Sequence, residues 1–190
     1  IEAVKDNSGT TLYAGVGDRW YGTTQGGIYR RLAGQSEWEQ VGPINAVVQT
    51  IHVDPDQPHH IFIGVGLRMT DDLPPNGIFE SNDAGETWSQ ILNTENQFAV
   101  LSITNDPQNP NILFAGAASM IYLSSDGGQS WSLFYEVEDA FYEVLYMPPA
   151  ANEMSTTRSA AASTLYLGAD TGLYRRDIIF NFLYLPMFIR

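Results

Sequence analysis

Short apolar stretches separated by turn residues run along the chain, and the second quarter shows the pattern most clearly. Apolar and β-branched residues dominate 47–53, 61–65, 77–81 and 88–92, and Asp, Pro, Gly and Asn lie between these stretches. Because proline lacks an N–H for the ladder and restricts the residue before it, the Asp-Pro after the first stretch indicates a turn. The stretches lack the i, i+3, i+4, i+7 apolar spacing of a helix, so the pattern predicts four short strands, A to D.

The same pattern recurs along the chain. DPDQP at 54–58, followed by IFIG, returns 52 residues later as DPQNP, followed by LFAG. GIFES through Trp88 returns 43 residues later as MIYLS through Trp131, so an insertion of nine residues lies between strands B and C of the second unit. Further copies contain LYAG at 12–15 and LYLG at 165–168.

Four units of roughly 45 to 50 residues have the period of propeller blades with four short strands each. We therefore predict an all-β fold, a β-propeller of four-stranded antiparallel blades in a single domain. The predicted blades are 1–42, 43–93, 94–136 and 137–190.

The composition narrows the class of protein. The 190 residues include 9 basic and 22 acidic side chains, a net charge of −13, and no cysteine. The lack of cysteine excludes disulfides, thiolate metal sites and cysteine nucleophiles. Scattered arginines beneath this negative charge argue against nucleic-acid binding. A hydrophobic content of 44% argues against disorder.

The two ends of the sequence carry little targeting information. The first residues lack the charged-then-apolar pattern of a signal peptide. The apolar tail, 178–190, is interrupted by proline and is shorter than the about 20 residues that span a bilayer, so we predict no membrane span. The tail is expected to form a last strand or to mediate self-association with a second copy, and in the latter case a self-associating structural protein is an alternative function.

Two turn segments share a pattern of chemistry-bearing residues. SNDAGETW at 81–88 and SSDGGQSW at 124–131 both match S-x-D-x-G-x-[ST]-W. In such a turn the aspartate accepts backbone N–H groups, the glycine takes a positive φ and the tryptophan inserts between adjacent sheets. The residues with this structural role are Ser81, Asp83, Gly85, Trp88, Ser124, Asp126, Gly128 and Trp131.

The two segments resemble the Asp-box, or bacterial neuraminidase repeat. This resemblance implies a β-propeller of the superfamily that includes sialidases, xyloglucan-cleaving glycosidases, sortilin-like receptors, photosystem II assembly factors and lectins. It favours a secreted or periplasmic protein. Its members usually have six to eight or more blades, so four blades imply a small ring, a fragment or half of a two-chain ring. The outer units depart from the box, since the first keeps only Trp38 and the fourth has no tryptophan.

The connections between strands separate into two rims. In an up-and-down blade the A–B and C–D turns lie on one rim, and the B–C and D–A connections lie on the other. The boxes are C–D turns, so the ligand-binding candidates are on the opposite rim. These candidates are Asp18, Arg19, Trp20, Tyr21, Arg68, Asp71, Asp72, Glu95, Asn96, Glu138 and Asp139.

Aromatic rings beside carboxylates and arginine are the residue types that hold sugars, by stacking and by bidentate hydrogen bonds. We therefore predict a non-catalytic propeller that docks a glycan or a protein on this rim. The alternative is that the same residues have no binding role and are solvated loop positions of an acidic protein.

A glycoside hydrolase acting on a β-glucan is the rival hypothesis. It requires two carboxylates roughly 5 to 10 Å apart, and Asp71 or Asp72 could pair with Asp170 across the ring. GADTGLYR at 168–175 resembles the Asp-containing blade segment of xyloglucan-cleaving propellers. A sialidase is disfavoured, because the resemblance would require an Arg-Ile-Pro segment that the sequence lacks.

We predict no cofactor and no metal site. His52, His59 and His60 lie on a strand and a turn without an implied third ligand. Asp71 and Asp72 could hold a weakly bound Ca²⁺ if further oxygens converge on them.

Overall fold

The computed structural model describes residues 1–6, 9–17, 26–42, 47–66, 76–94, 98–138, 140–148, 163–169 and 171–178. Every regular element within these residues is a β-strand, and the strands form four sheets in chain order. The first sheet contains β1 (Glu2–Asp6), β2 (Gly9–Val16), β3 (Gly27–Arg31) and β4 (Glu39–Val41). The second contains β5 (Val48–Val53), β6 (Ile61–Val65), β7 (Gly77–Ser81) and β8 (Ser89–Asn93). The third contains β9 (Val100–Asp106), β10 (Asn109–Ala117), β11 (Met120–Ser124) and β12 (Ser132–Glu136). The fourth contains β13 (Phe141–Met147), β14 (Ser163–Ala169) and β15 (Gly172–Ile178).

Each strand pairs antiparallel with the next strand along the chain in its own sheet. The predicted all-β fold of antiparallel blades is confirmed, and the described part of the fourth blade has three strands. Strands B and C of the second unit have the predicted bounds, while A begins one residue later than predicted and D is displaced by one residue. No helix in the described ranges is long and apolar enough to cross a membrane.

The sheets pack face to face in sequence, and apolar side chains fill the space between consecutive sheets. We call the face toward the following sheet the front face and the other the back face. All five residues of β6 are buried, because neighbouring sheets cover both of its faces. The front-face residues of the first three sheets include Tyr13 and Ile28, Phe62 and Ile78, and Phe114 and Ile121. The back-face residues that meet them include Ile61 and Ile63, Leu113 and Ala115, and Leu165 and Leu167.

A glycine on strand B lets each following sheet approach closely. A Cβ at Gly15 would lie 2.6 Å from Val48 Cγ1, and one at Gly64 would lie 2.5 Å from Val100 O. A Cβ at Gly116 would lie 2.5 Å from a ring carbon of Phe141. No side chain fits at these distances, so glycine is needed where the first strand of the next sheet packs.

Backbone hydrogen bonds define the two rims. The Ala84 N–H in the C–D turn donates to His59 O in the A–B turn at 2.8 Å, so these turns share one rim, which we call the turn rim. Gly66 N–H after strand B donates to Val47 O before strand A at 3.2 Å, and Phe141 N–H donates to Ala118 O at 3.0 Å. The B–C and D–A connections therefore share the opposite rim, which we call the loop rim.

Candidate functional site

The segment 81–88 is a turn closed by side chains. Ser81 Oγ accepts the Gly85 N–H at 2.8 Å and donates to Asp83 Oδ1 at 2.8 Å. Asp83 also accepts the Thr87 N–H at 2.8 Å and the Thr87 hydroxyl at 2.6 Å. Gly85 has a φ of 97°, which lies in the region that favours glycine. Trp88 donates its indole N–H to Gly85 O at 2.9 Å and packs in the core between the first and second sheets.

The segment 124–131 repeats this set of contacts one sheet later. Ser124 Oγ accepts the Gly128 N–H at 2.9 Å, and Asp126 accepts the Ser130 N–H at 2.9 Å. Trp131 donates to Gly128 O at 3.0 Å and packs between the second and third sheets. Each turn therefore joins its own strands C and D and seats a tryptophan against the preceding sheet.

The lowered pKa values of Asp83 and Asp126 keep both side chains ionised, as hydrogen-bond acceptors. The Thr87 hydroxyl and N–H lower the pKa of Asp83 to about 2. Partial burial raises the pKa of Asp126, but hydrogen bonds from Ser130 and Ser124 outweigh it and the net pKa is lowered. Both groups are anionic near neutral pH, so neither has the raised pKa that a general acid requires.

Most of the predicted binding residues lie outside the described residues. These are Asp18, Arg19, Trp20, Tyr21, Arg68, Asp71, Asp72, Glu95, Asn96 and Asp139, together with the catalytic candidate Asp170. Glu138 is described and exposed. It follows Val137, whose N–H donates to Ser119 O at 2.8 Å, so it lies on the loop rim.

The strand ends that flank these candidates converge on the loop rim. A Cβ at Gly17, which precedes 18–25, would lie 2.7 Å from the Val47 Cα. Gly66, which precedes 67–75, donates to the same residue. Thr94 N–H donates to Asn76 O at 3.1 Å, which brings the start of 95–97 to the end of the second connection. Three candidate-bearing connections thus begin or end at one edge of the first two sheets.

A groove of about 360 Å³ opens on the turn rim between the first and second sheets, and the sequence did not predict it. Its lining residues are Val4, Thr11, Tyr13, Arg30, Leu32, Pro58, His59 and Ala84. Arg30 lies across the junction and donates to Ala84 O at 2.9 Å, Glu86 at 2.7 Å and Glu39 at 2.8 Å.

The matching positions of the second sheet explain why the groove is open. There His60 is buried and places Nδ1 3.2 Å from Asp54 and Nε2 2.7 Å from Glu80. Its ring centroid lies 4.4 Å from that of Phe62. Thr11 stands in the first sheet where His60 stands in the second, and the smaller side chain leaves space over the aromatic ring.

His52 is the other notable titratable group. Burial lowers its pKa to about 4, and within the described residues its Nε2 has no hydrogen-bond partner. Across the described ranges, no three His, Asp or Glu side chains are grouped to hold a metal ion.

No family model matches the chain. The xyloglucanase Xgh74A of Acetivibrio thermocellus is 30% identical over 95 residues, which are 45% of this chain and 11% of that protein. The xyloglucanase of Hypocrea jecorina is 29% identical over 125 residues, 60% of this chain and 14% of that protein. The chain thus spans a small part of the curated relatives that it matches.

Solved structures show the fold. A GH74 enzyme of Niastella koreensis superimposes with a TM-score of 0.59 at 21% identity, covering 78% of this chain and 25% of that one. The extracellular domain of BT4673 from B. thetaiotaomicron superimposes with a TM-score of 0.59 at 14% identity, covering 92% of this chain and 21% of that one. YCF48 bound to D1 peptide superimposes with a TM-score of 0.54 at 18% identity, covering 90% of this chain and 48% of that one. The four sheets are blades of the β-propeller type.

Proposed function

We propose that the chain is a non-catalytic binding propeller of the Asp-box class that docks a glycan on its loop rim. The observation that carries the proposal is the convergence on one rim of the strand ends flanking 18–25, 67–75 and 95–97. These connections contain Trp20, Tyr21 and several carboxylates, which are the residue types that stack on sugar rings and bind hydroxyls.

The Asp-box assignment is supported by the matched hydrogen bonds of the two turns. In both, the serine accepts the glycine N–H and the aspartate accepts the N–H four residues on. The ionised aspartates of the turn rim hold their own turns, which leaves for recognition the loop rim, where the B–C connections differ in length between the sheets.

The choice of glycan over protein follows from the sequence relatives. Two xyloglucanases match this chain at 29–30% identity, so xyloglucan is the first ligand to test. Peptide-bound YCF48 supports a protein ligand as the second choice. A secreted or periplasmic location belongs to the proposal, and the extracellular domain of BT4673 supports it.

Retention in a xyloglucan-containing native gel tests the binding site. Wild type should migrate more slowly than in a gel without xyloglucan, and Trp20→Ala and Tyr21→Ala should each weaken binding about fivefold or more, since one stacked ring contributes about 1 kcal/mol or more. His59→Ala, an exposed ring residue on the turn rim, should bind like wild type. Unchanged retention of both rim variants would exclude the loop rim.

The alternative function is cleavage of a β-glucan, and the same xyloglucanase likeness favours it. It predicts that wild type releases reducing ends from xyloglucan and that Asp71→Asn, Asp72→Asn or Asp170→Asn abolishes the release. If wild type and all three variants leave a β-glucan panel at background while wild type binds, the hydrolase alternative fails.

A further inference from the structure

The front face of the fourth sheet matches faces that are covered elsewhere in the chain. Leu173 occupies the position of Ile28, Ile78 and Ile121 in the earlier sheets. Those three side chains are 0% exposed, whereas Leu173 is 73% exposed. Leu145 on β13, which lies on the other side of β14 in the same sheet, is also exposed.

Gly168 occupies the position of Gly15, Gly64 and Gly116. In those three sheets, a Cβ would collide with the first strand of the following sheet. At Gly168 the described residues offer one neighbour, Glu143 Cβ at 3.7 Å, which is an ordinary contact distance. The fourth sheet keeps the glycine that close packing of a following sheet requires.

The back face of the first sheet is the complement of this surface. Leu12, Ala14 and Val16 occupy the positions of Ile61, Ile63 and Val65, which pack against a preceding sheet. Val65 is 0% exposed, while Val16 is 44% exposed. Among the described strands, extensive packing joins consecutive sheets, and none joins the fourth sheet to the first.

We propose that two copies of this chain associate head to tail, with the front face of the fourth sheet of one copy packed on the back face of the first sheet of the other. Within the chain, three front faces that carry an aromatic ring, a glycine and a large aliphatic residue each pack on the apolar back face of the following sheet. A second copy carries the required partner, and two such contacts close a ring of eight sheets.

Charge complementarity supports the same pairing. Arg30 on the front face of the first sheet binds Ala84 O and Glu86 in the C–D turn of the second sheet. Arg175 is its counterpart in the fourth sheet; it is exposed, and its Nε lies 3.0 Å from the likewise exposed Asp177 on its own strand. In a second copy, the C–D turn of the first sheet would offer it Gly34 O and the exposed Glu37.

Solution mass tests the association. Sedimentation equilibrium of wild type should give twice the 21.0 kDa chain mass. Gly168→Val, which adds a β-branched side chain to a strand with room for it, and Val16→Asp should each lower the mass to that of one chain. Leu133→Asp, at an apolar position on β12 that is 53% exposed, should leave the mass unchanged.

Mixing the two monomeric variants tests the head-to-tail geometry. The Val16→Asp chain keeps its front face and the Gly168→Val chain keeps its back face, so an equimolar mixture should regain mass. Arg175→Glu and Glu37→Arg should each weaken association at least tenfold, and the double variant should recover most of it.

Two results overturn the proposal. One is a wild-type chain that remains single up to about 0.5 mM, above the dissociation constant of a specific interface of ordinary size. The other is a mixture that gains no mass, which would exclude pairing of front with back faces. Circular dichroism with a cooperative melt for every variant establishes that lost mass is not lost folding.

Discussion

Alanine at Gly64 should destabilise the fold, while alanine at the matching Gly168 should not. The added Cβ at Gly64 would lie 2.5 Å from Val100 O, 2.6 Å from Thr50 Cγ2 and 2.8 Å from Val100 Cγ1. Because non-bonded carbon atoms prefer about 3.5–4.0 Å, the second and third sheets must separate by roughly 1 Å to admit it. The nearest atom is backbone, so a side-chain rotation cannot relieve the contact.

Overpacking of this kind costs about 1–3 kcal/mol. At Gly168 the Cβ meets Glu143 Cβ at 3.7 Å, and alanine restricts the unfolded chain, which stabilises by about 0.4–1 kcal/mol. Both alanines restrict the unfolded chain alike, so the free energies of unfolding of the two variants should differ by the overpacking cost, about 1–3 kcal/mol. For a chain of this size, that difference corresponds to roughly 2–12 °C in melting temperature.

Urea unfolding followed by tryptophan fluorescence measures the difference. Both substitutions are made in the Val16→Asp background, so that association between copies does not contribute. Equal midpoints for the two alanine variants would refute the argument that strand-B glycines are required by the following sheet. A midpoint for Gly168→Ala below that of the Val16→Asp parent would show that another part of the same chain covers that face.

Three further outcomes follow from the titratable and charged side chains. Asp83→Asn should lower the melting temperature at pH 5 and have little effect near pH 2. The pKa of Asp83 is about 2 in the fold and 3.8 otherwise, so its contribution is present above 3.8 and is lost as the pH falls through 2. Asp56→Asn, at an exposed turn position, is the control for these melts. Wild type should lose about 3 kcal/mol of stability as the pH falls from 6.5 to 4, because in this range the unfolded state takes up a proton on His52 and the folded state, where the ring is buried, does not. His52→Leu should remove this pH dependence. In the monomeric background, Arg30→Met should cost about 1.5–3 kcal/mol in urea unfolding, and the exposed Arg175→Met should change stability by less than about 0.5 kcal/mol.

The repeat made most of the fold predictable. The continuous apolar run of β6 and the glycine that opens β7 located both strands to the residue, because each marks a boundary in the sequence itself. Strand D begins one residue later than predicted. Trp88 binds Gly85 O and so belongs to the turn, a contact that apolar character alone does not reveal.

Side-chain interactions across strands were less predictable. His60 was interpreted as a turn residue without a defined role, yet it is buried between Asp54 and Glu80. Glu80 lies 20 residues farther along the chain, and its proximity depends on the register of β6 with β7. The groove beside Arg30 depends in the same way on a threonine standing where the next sheet has histidine. Comparing Thr11 with His60 between the repeats is the signal that could have found it.

The candidate binding residues remain a prediction from the sequence. Trp20, Tyr21, Asp71 and Asp72 lie outside the described residues. Up-and-down connectivity placed their connections on one rim in advance, and the hydrogen bonds at Val47 and Asn76 agree with that topology.

Isothermal titration of the protein with xyloglucan distinguishes a binding propeller from a glycosidase, because binding and hydrolysis give different heats in one experiment. We predict a heat that saturates, returns to baseline after each injection and disappears in Trp20→Ala. A heat that continues after each injection, with reducing ends accumulating in the cell, would contradict it in favour of an enzyme. The absence of any heat with wild type would remove xyloglucan as the ligand.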